Sequence, residues 1–367
     1  MREKWTKEQA WAWYNRYPWL RGCNFIGSDC ANRQDQWQQH DVENHMATAD
    51  RELALAERTG FNTIRIIVDF DVWLQEEQGF MDNLERYLTL AAKNGQYVML
   101  VLCAEVQLPR GEYADFKPKP LGEQHYALGY HQGRAPLTAE QTALPPYHPL
   151  ESPLLRDKYL KMVTDIVTKY AHDERIIIWN VFNEPGIMLG ERAVPMLETL
   201  FETVRACDPD QPLTVDVWRG LKDGAPVSAE ERAALELSDV VSFHTYRDFV
   251  TSCDMIDRLK EHGRPLLCTE WLNRIGGNTI FEMYPLFFLE RVACWCWGFV
   301  VGKTQTNEPW TGMLDQALEG KHEDLDFTKW LHDLYRPSFY PYDPKELRLI
   351  ARVNALADRR DAERLSK

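Results

Sequence analysis

The sequence predicts a single α/β domain, a (β/α)8 TIM barrel with long loops after strands 3 and 8. Eight short, nearly continuous apolar runs alternate with amphipathic stretches, as expected for strands buried on both faces of a parallel sheet. The predicted strands cover residues 23–28, 63–70, 97–104, 176–181, 213–218, 240–246, 265–271 and 294–301. Eight strand–helix units close most simply into a barrel. An open doubly wound sheet is the alternative, but its usual G-x-G-x-x-G turn is missing after the first strand.

The stretches between the predicted strands carry apolar residues at helical spacing. One stripe consists of Met46, Ala49, Leu53 and Ala56, and another of Tyr159, Val163, Ile166 and Tyr170. Three predicted helix ends place a glycine (Gly60, Gly95 and Gly263) where a left-handed C-cap is needed. A strand follows each of them within a few residues, which is typical of repeated β/α units.

Three segments are expected along the chain: a helical segment at 1–20 packed on the barrel, the barrel at 21–340, and a C-terminal helix with a charged tail at 341–367. Thr6 and Gln9 have the spacing of a capping box, which predicts that a short helix starts there. Asp343 followed by Pro344 predicts the start of the last helix.

Two long connections interrupt the alternation. Residues 105–152, after the third strand, are rich in proline, tyrosine and histidine, and residues 303–321, after the last strand, contain Trp310. Loops of this length are usually functional or disordered, and the interspersed aromatic residues favour an ordered flap. Both follow strands, and this is the face on which barrels carry their active sites.

The composition limits the classes of ligand. A formal net charge of -14 disfavours nucleic acid and anionic membranes as partners and is compatible with a neutral ligand. No apolar run is long enough for a membrane span, and no apolar leader is visible at the N-terminus. The eight cysteines form no C-x-x-C pair and favour buried thiols. A cytoplasmic location is therefore expected, and no oligomeric state is indicated.

Two acidic residues stand at strand ends. Asn183 and Glu184 close an apolar strand that Pro185 interrupts, so they belong at its carboxyl end. Glu270 is a lone carboxylate within another apolar strand, where burial is unfavourable unless the group is paired or functional. Two carboxyl groups flanking one bond, one protonated and one ionised, are the requirement for glycoside cleavage.

At these positions the sequence resembles the clan of retaining barrel glycosidases that includes the family 5 cellulase-like enzymes. The resemblance implies that Glu184, after Asn183 at the end of strand four, is the acid/base. It implies that Glu270, at the end of strand seven, is the nucleophile and that Asn183 binds the 2-hydroxyl of the sugar. No metal or other cofactor is expected for this chemistry.

Four further positions extend the resemblance over residues 21–310. Arg65 corresponds to an arginine near the nucleophile, and His244 and Tyr246 correspond to a His-x-Tyr whose tyrosine binds the nucleophile. Trp297 corresponds to the tryptophan beneath the reacting sugar. The stretches 21–25, 268–272 and 302–306 are similar to a poorly described bacterial branch that is loosely labelled cellulase- or xylanase-like.

Three other residues are candidates for substrate contact. Glu105 stands where many members of the clan carry a substrate-facing histidine or aspartate, so either Glu105 makes that contact or the subsite differs. Trp37, on the first βα loop, and Trp310 are expected to line the cleft.

Structural interpretations remain open for several of these residues. Glu184 would also suit a helix N-terminus, Glu270 and Arg65 would also form a purely structural ion pair, and Trp297 and His244 are residue types common in cores. A zinc hydrolase would require a strand-end His-x-His, which the sequence lacks. A phosphate-binding barrel is weakly suggested by Gly276-Gly277, beside which Arg274 is the one basic residue.

The sequence therefore predicts a retaining glycoside hydrolase. The expected substrates are oligosaccharides with β-linked, or equivalent α-L-arabinofuranosyl, bonds, and the flap favours attack at chain ends. The alternative is a barrel that binds carbohydrate and has lost activity, which the presence of both carboxylates opposes.

Overall fold

The computed structural model describes residues 2–219, 227–321 and 324–365. Eight parallel strands form a closed barrel in chain order, with β1 paired to both β2 and β8, so the predicted TIM barrel is confirmed. The strands are β1 (Arg21–Asn24), β2 (Thr63–Ile67), β3 (Tyr97–Val101), β4 (Ile176–Phe182), β5 (Leu213–Val217), β6 (Val241–His244), β7 (Leu266–Trp271) and β8 (Ala293–Cys296).

Several predicted strands run past the observed ends. The apolar runs continue through Phe25, Leu102 and Phe299, which are buried but lie beyond the last paired residues of β1, β3 and β8. Their burial, and not strand pairing, therefore accounts for the longer predicted strands.

The α-helices of the described residues surround the barrel or cap its ends. They are α1 (Lys7–Tyr14), α2 (Arg33–Trp37), α3 (Val42–Thr59), α4 (Phe70–Gln75), α5 (Glu77–Lys93), α6 (Ala139–Ala143), α7 (Arg156–Tyr170), α8 (Ala193–Ala206), α9 (Ala229–Leu237), α10 (Phe249–Lys260), α11 (Ile280–Glu290), α12 (Thr311–Leu318) and α13 (Pro344–Leu365). Both predicted apolar stripes are buried, on α3 and α7. Gly60, at the end of α3, has the left-handed φ of +81° that its position requires.

The bottom of the barrel is closed by α1. This helix begins with the Thr6–Gln9 capping box and contributes Ala10, Trp13 and Tyr14 to a separate apolar cluster. The cluster also contains Met99, Ile178, Leu267 and Trp295. The lower layer of the barrel interior is therefore filled by apolar side chains.

At the opposite end, the flap, defined as residues 105–152, is bonded to the loops after β1 and β8. The backbone N–H of Gly129 donates to Oε1 of Gln305 at 2.7 Å, and Nε2 of Gln305 donates to the Ala127 carbonyl at 2.8 Å. Nε2 of Gln38 donates to the carbonyl of Gly122 at 2.8 Å. The flap is thus an ordered wall that lies over the mouth of the barrel.

Two further features of the composition can be compared with the structure. The eight cysteines are free thiols, and Cys103, Cys268, Cys294 and Cys296 are buried as predicted. Within the described ranges, no helix has both the length and the apolar character needed to cross a membrane.

Candidate active site

Glu184 and Glu270 lie at the same end of the barrel. Strand β4 ends at Phe182, and Pro185, which has no N–H to continue the pairing, follows Glu184. Glu184 has a φ of +46°, a left-handed conformation that residues with a side chain rarely adopt. Such strain is concentrated at functional sites. Glu270 belongs to the end of β7, whose residues are all buried.

His244, the last residue of β6, lies between the two carboxyl groups. Its Nδ1 atom is 2.7 Å from Oε1 of Glu184 and 3.6 Å from Oε2 of Glu270. A ring nitrogen of His244 and one oxygen from each carboxyl group all lie within 4.8 Å of one another. Retaining glycosidases hold their two carboxyl groups about 5–5.5 Å apart, and inverting enzymes about 6.5–9.5 Å. The observed separation favours the retaining geometry.

Arg65, on β2, is the centre of a buried hydrogen-bond network. Its guanidinium group donates to side-chain oxygens of Asn24 (2.7 Å), Asn180 (3.1 Å), Asn183 (2.6 Å), Asp216 (3.0 Å) and Glu270 (2.8 Å). The hydroxyl of Tyr246 donates to the other oxygen of Glu270 at 2.8 Å. Both oxygens of Glu270 are therefore held by donors, an arrangement that favours the ionised carboxylate.

The charges of this network set its protonation. Burial alone would lower the pKa of His244. The charges of Glu270 and Asp216 outweigh this effect and raise that pKa to about 10. Burial opposes ionisation of Asp216, but the charges of Arg65 and then His244 hold its pKa below the ordinary value. Burial raises the pKa of Glu270 against the opposing effects of His244 and Arg65. At neutral pH His244 is therefore a cation that donates to Glu184.

Glu105, for which the sequence left open a substrate contact or a different subsite, supports the backbone beside Glu184. Its carboxylate is buried and accepts hydrogen bonds from the backbone N–H groups of Gly186 (2.6 Å), Met188 (2.7 Å) and Leu189 (3.0 Å). Both oxygens are thereby engaged by the loop that begins at Glu184. These contacts give Glu105 a positioning role, since it holds the strained loop that carries Glu184, and a contact of Glu105 with substrate stays a prediction.

A cavity of about 940 Å³ opens above the carboxyl pair. Trp297, which is half-buried, lines it together with Tyr246 and Trp310. The rings of Tyr246 and Trp310 meet edge to face, with centroids 5.0 Å apart. Trp297 and Trp310 are thus placed on the cavity wall, where the sequence predicted them.

Trp37 is not on this wall, and its prediction as a cleft residue is wrong. Its side chain is fully buried and packs against Phe80 and Tyr87 on α5. Its indole N–H donates to the carbonyl of Ile67 at 2.7 Å. The helix that carries Trp37 turns this residue toward the core.

Sequence reasoning missed several residues of the site. Asp216 is a buried acid in the apolar strand β5, the same signal that identified Glu270. Asn24 and Asn180 are buried polar residues in strands. The sequence alone does not show whether a buried asparagine in a strand takes part in a site or only in packing. Arg33, which lines the cavity, stands four residues before Trp37 on the same short helix.

Two groups of described residues have a spacing that would suit a metal ion. The first, Glu184, His244 and Glu270, is the carboxyl pair with the imidazole that is bonded between them, and the raised pKa of His244 opposes the neutral ring that a metal requires. In the second, Asp29, Cys30 and His45, burial raises the pKa of the Cys30 thiol well above its usual value, which opposes the thiolate that a metal requires.

Arg274, the basic residue beside Gly276 and Gly277, has its side chain engaged by other parts of the protein. It is buried and forms an ion pair with Glu346 at 2.8 Å. Two N–H groups of its guanidinium also donate to the backbone carbonyls of His332 and Asp333. The residues around this turn therefore give no support to a phosphate site.

The barrel, the flap-covered cavity and the carboxyl pair define the chain as a glycosidase of the retaining barrel type. The family model described as Cellulase (glycosyl hydrolase family 5) matches residues 24–274, more than half of the chain. The chain belongs to glycosyl hydrolase family 5, a family of retaining enzymes.

Solved structures with the same fold are glycoside hydrolases at low sequence identity. GH5_18 from Streptomyces cattleya in complex with GlcNAc has a TM-score of 0.56 and 12% identity, and covers 94% of this chain and 80% of that chain. An exo-β-1,4-mannosidase from Opitutaceae bacterium strain TAV5 has a TM-score of 0.58 and 13% identity, with 94% and 60% covered. An endo-1,4-β-mannanase from Eisenia fetida has a TM-score of 0.54 and 14% identity, with 76% and 84% covered.

One curated relative matches a shorter segment. A β-glucuronidase from Paenibacillus borealis is 24% identical over 123 residues, which amount to 34% of this chain. The chain spans only 19% of the length of that relative in the match.

Proposed function

We propose that the chain hydrolyses β-linked glycosides, or the equivalent α-L-arabinofuranosides, at the ends of oligosaccharides. The observation that carries this proposal is the approach of Glu184 and Glu270 around His244 at the floor of a walled cavity. In the proposed mechanism Glu270 is the nucleophile and Glu184 is the acid/base. The relatives named above act on different glycosides, so the linkage and the sugar must be argued from the cavity itself.

The first step forms a glycosyl-enzyme. An oxygen of Glu270 attacks the anomeric carbon, and the bond from that carbon to the glycosidic oxygen breaks. Glu184 transfers its proton to the departing oxygen. In the second step Glu184 takes a proton from water, and the resulting hydroxide displaces Glu270 from the anomeric carbon. Two inversions give net retention of configuration.

The charges of the network support this assignment of roles. Arg65 and His244 are cations, and Asp216 and Glu270 are anions, so these four groups balance. A protonated Glu184 adds no charge to this group of four. The balance within the group matters when a bound sugar excludes water, because an unpaired buried charge is unfavourable.

Neighbouring groups are arranged to bind the reacting sugar. The side-chain oxygen of Asn183 is held by Arg65 at 2.6 Å, so its amide N–H remains the group available for a sugar hydroxyl. Trp297 supplies an aromatic face beside the carboxyl pair, and Trp310 lies further out against Tyr246. Apolar sugar faces stack on such rings, while hydroxyl groups take the polar contacts.

Attack at chain ends is supported by the flap. Residues 105–152 are bonded to the loops after β1 and β8, so one side of the cavity is closed. An open groove for the middle of a polysaccharide would need both sides free. Hydrolysis should therefore release small sugars without a rapid fall in the viscosity of a soluble polysaccharide, and a rapid fall would contradict action at chain ends.

The activity is tested with a panel of p-nitrophenyl glycosides that includes β-glucosides, β-mannosides, β-xylosides, β-galactosides and α-L-arabinofuranosides. Proton NMR of the first product should show the same anomeric configuration as the substrate. An inverted first product would exclude the double displacement, and the absence of turnover on the whole panel would favour the inactive carbohydrate-binding barrel.

A further inference from the structure

Leu272, two residues after Glu270, has a backbone conformation that a leucine rarely adopts. Its φ is +88°, and its side chain is fully buried. A bulky residue at a positive φ costs about 1–3 kcal/mol and persists only where the surrounding contacts fix it. The contacts that fix Leu272 therefore also determine the path of the chain beside the nucleophile.

Two buried side chains bind Leu272 at its two backbone groups. The N–H of Leu272 donates to Oδ1 of Asn278 at 2.8 Å, and the carbonyl of Leu272 accepts a hydrogen bond from Nδ1 of His332. Both side chains belong to fully buried residues. Asn278 lies between β7 and α11, and His332 lies between α12 and α13, so two separate segments hold the same strained residue.

Asn278 also holds the segment that carries Tyr246. Its Nδ2 atom donates to the carbonyl of Arg247 at 2.6 Å and to that of Thr245 at 3.3 Å, the residues on either side of Tyr246. The hydroxyl of Tyr246 in turn donates to Oε2 of Glu270 at 2.8 Å. One buried amide thus joins the chain that follows the nucleophile to the chain that carries its hydrogen-bond donor.

His332 contacts the same two parts of the site. Burial lowers the pKa of His332 well below its usual value, so the ring is neutral, and Nδ1 carries its proton because a carbonyl only accepts. Nε2 is buried without a hydrogen-bond partner among the described residues, which is unfavourable. An apolar residue would avoid this cost, so the bond to Leu272 accounts for a histidine here. The ring also packs against that of Tyr246, with centroids 5.5 Å apart.

We infer that Asn278 and His332 are positioning residues, which keep the hydroxyl of Tyr246 on Glu270 by fixing Leu272. The inference rests on the proposed function, because it assigns a support to the proposed nucleophile. Both residues are absent from the described residues that line the main cavity, so their effect on the reaction must pass through Leu272 and Tyr246.

The pH dependence of kcat/KM measures this support, because its acid limb follows the ionisation of the nucleophile in the free enzyme. A hydrogen bond to a carboxylate favours the ionised form, so loss of the Tyr246 bond should move the acid limb to higher pH. Glu270 is also faced by Arg65 on β2, by His244 on β6 and by Glu184 after β4. The variants compared leave these three groups in place.

Asn278→Ala should lower kcat/KM about tenfold and move the acid limb up by about one pH unit, the effect expected when a hydrogen bond to a charged group is lost. Tyr246→Phe removes the hydroxyl itself and should move the limb at least as far. In the double variant the limb should stay where Tyr246→Phe places it, because Asn278 acts through that hydroxyl.

Asn354→Ala is the matched control. Asn354 is also a buried asparagine whose Nδ2 donates to two carbonyls, those of Thr59 and Gly60, and whose Oδ1 accepts from the hydroxyl of Tyr284. These contacts lie before β2, at the bottom end of the barrel. The control should therefore lose stability as Asn278→Ala does but keep the wild-type acid limb.

Two variants of His332 test the second support. His332→Leu should move the acid limb in the same direction as Asn278→Ala. His332→Asn places an amide N–H near the position of Nδ1 and should keep kcat/KM within about threefold of the wild type. Equal losses in the two variants would show that the donor to Leu272 is not the reason for the histidine and would overturn its role, even if Asn278→Ala does not fold.

Two results with Asn278→Ala would also overturn the inference. One is a loss of stability with an unmoved acid limb, which would leave Asn278 a purely structural role. The other is a double variant in which the shifts of Asn278→Ala and Tyr246→Phe add, since Asn278 would then act by another route.

A measurement without turnover separates this inference from the proposed hydrolysis. Carbon-13 NMR of the side-chain carboxyl groups in protein labelled at glutamate, with Glu270→Gln to identify the signal, gives the pKa of Glu270 directly. A higher pKa in Asn278→Ala than in the wild type supports the inference even if every aryl glycoside is inert, in which case hydrolysis alone fails. An unchanged pKa in the folded variant overturns it even if hydrolysis is observed.

Discussion

The two ends of the barrel interior are built from the same strands but have opposite chemistry. The lower layer contains apolar residues such as Ile178 and Leu267 and is closed by Trp13 of α1. The upper layer contains a network of charged and amide side chains around Arg65. On β4, Ile178 and Asn180 are two residues apart and belong to the two different layers.

Stability and chemistry are therefore located at opposite ends of the same strands. Side chains two residues apart on a strand point to the same face, so one strand can contribute to packing at one end and to reaction at the other. A substitution in the apolar layer should lower the free energy of unfolding and leave catalysis unchanged. The polar layer combines buried charges that are stable only together, and a change there should affect turnover first.

Glu270→Ala should give the largest effect. No other group is placed to form the glycosyl-enzyme, so the rate should fall at least 10⁴-fold, about 5–6 kcal/mol in the barrier. Steady-state kinetics on the best aryl glycoside measures this loss. Wild-type turnover by the variant would show that Glu270 is not the nucleophile.

Glu184→Ala should separate the two steps. Substrates with poor leaving groups should lose at least 100-fold in rate because the proton donor is missing, whereas dinitrophenyl glycosides should keep their first step. Azide should then restore turnover by attacking the intermediate without a general base. If azide has no effect and both substrate types lose activity equally, Glu184 has another role.

Ile178→Ala tests the lower layer. The variant should lose about 2–5 kcal/mol of unfolding free energy, because a cavity replaces a buried side chain. Its kcat/KM should stay within threefold of the wild type at temperatures where it is folded. Chemical denaturation and kinetics on the same preparation give both values. A large loss of activity without loss of stability would contradict the division between the layers.

Glu105→Gln addresses the support of the strained loop. One oxygen then remains for three backbone N–H donors, and about 1–3 kcal/mol of stability should be lost. Activity on poor leaving groups should fall more than activity on dinitrophenyl glycosides, because Glu184 is displaced and Glu270 is not. Equal losses on both would assign Glu105 a general structural role.

The pH dependence of stability tests the charge of His244. Its pKa is raised from the ordinary 6.5 to about 10. Because the pKa is raised on folding, the protonated His244 contributes its full stabilisation below about pH 6.5, and this contribution is lost as the pH rises through 10. The difference in Tm between the wild type and His244→Gln should therefore narrow from pH 7 to pH 10. A constant difference would show that His244 is neutral in the fold.

The sequence predicted the barrel and its carboxyl pair because both have local signals. Strand order followed from alternating apolar and amphipathic segments, and Glu270 stood out as an acid within an apolar run. The prediction that Trp37 lines the cleft was wrong because the direction of a side chain on a short helix depends on its packing. Here Trp37 packs against Phe80 and Tyr87. The role of Glu105 was missed because it depends on backbone N–H groups 81 to 84 residues away.

The assignment of Glu270 is tested most directly by trapping the intermediate. Incubation with dinitrophenyl 2-deoxy-2-fluoro-β-glycosides of the sugars that are cleaved should add one glycosyl group to the protein. Mass spectrometry of the proteolytic peptides should locate this group on Glu270. A label on Glu184, Asp216 or any other residue, in an enzyme that retains configuration, would contradict the proposed catalytic pair.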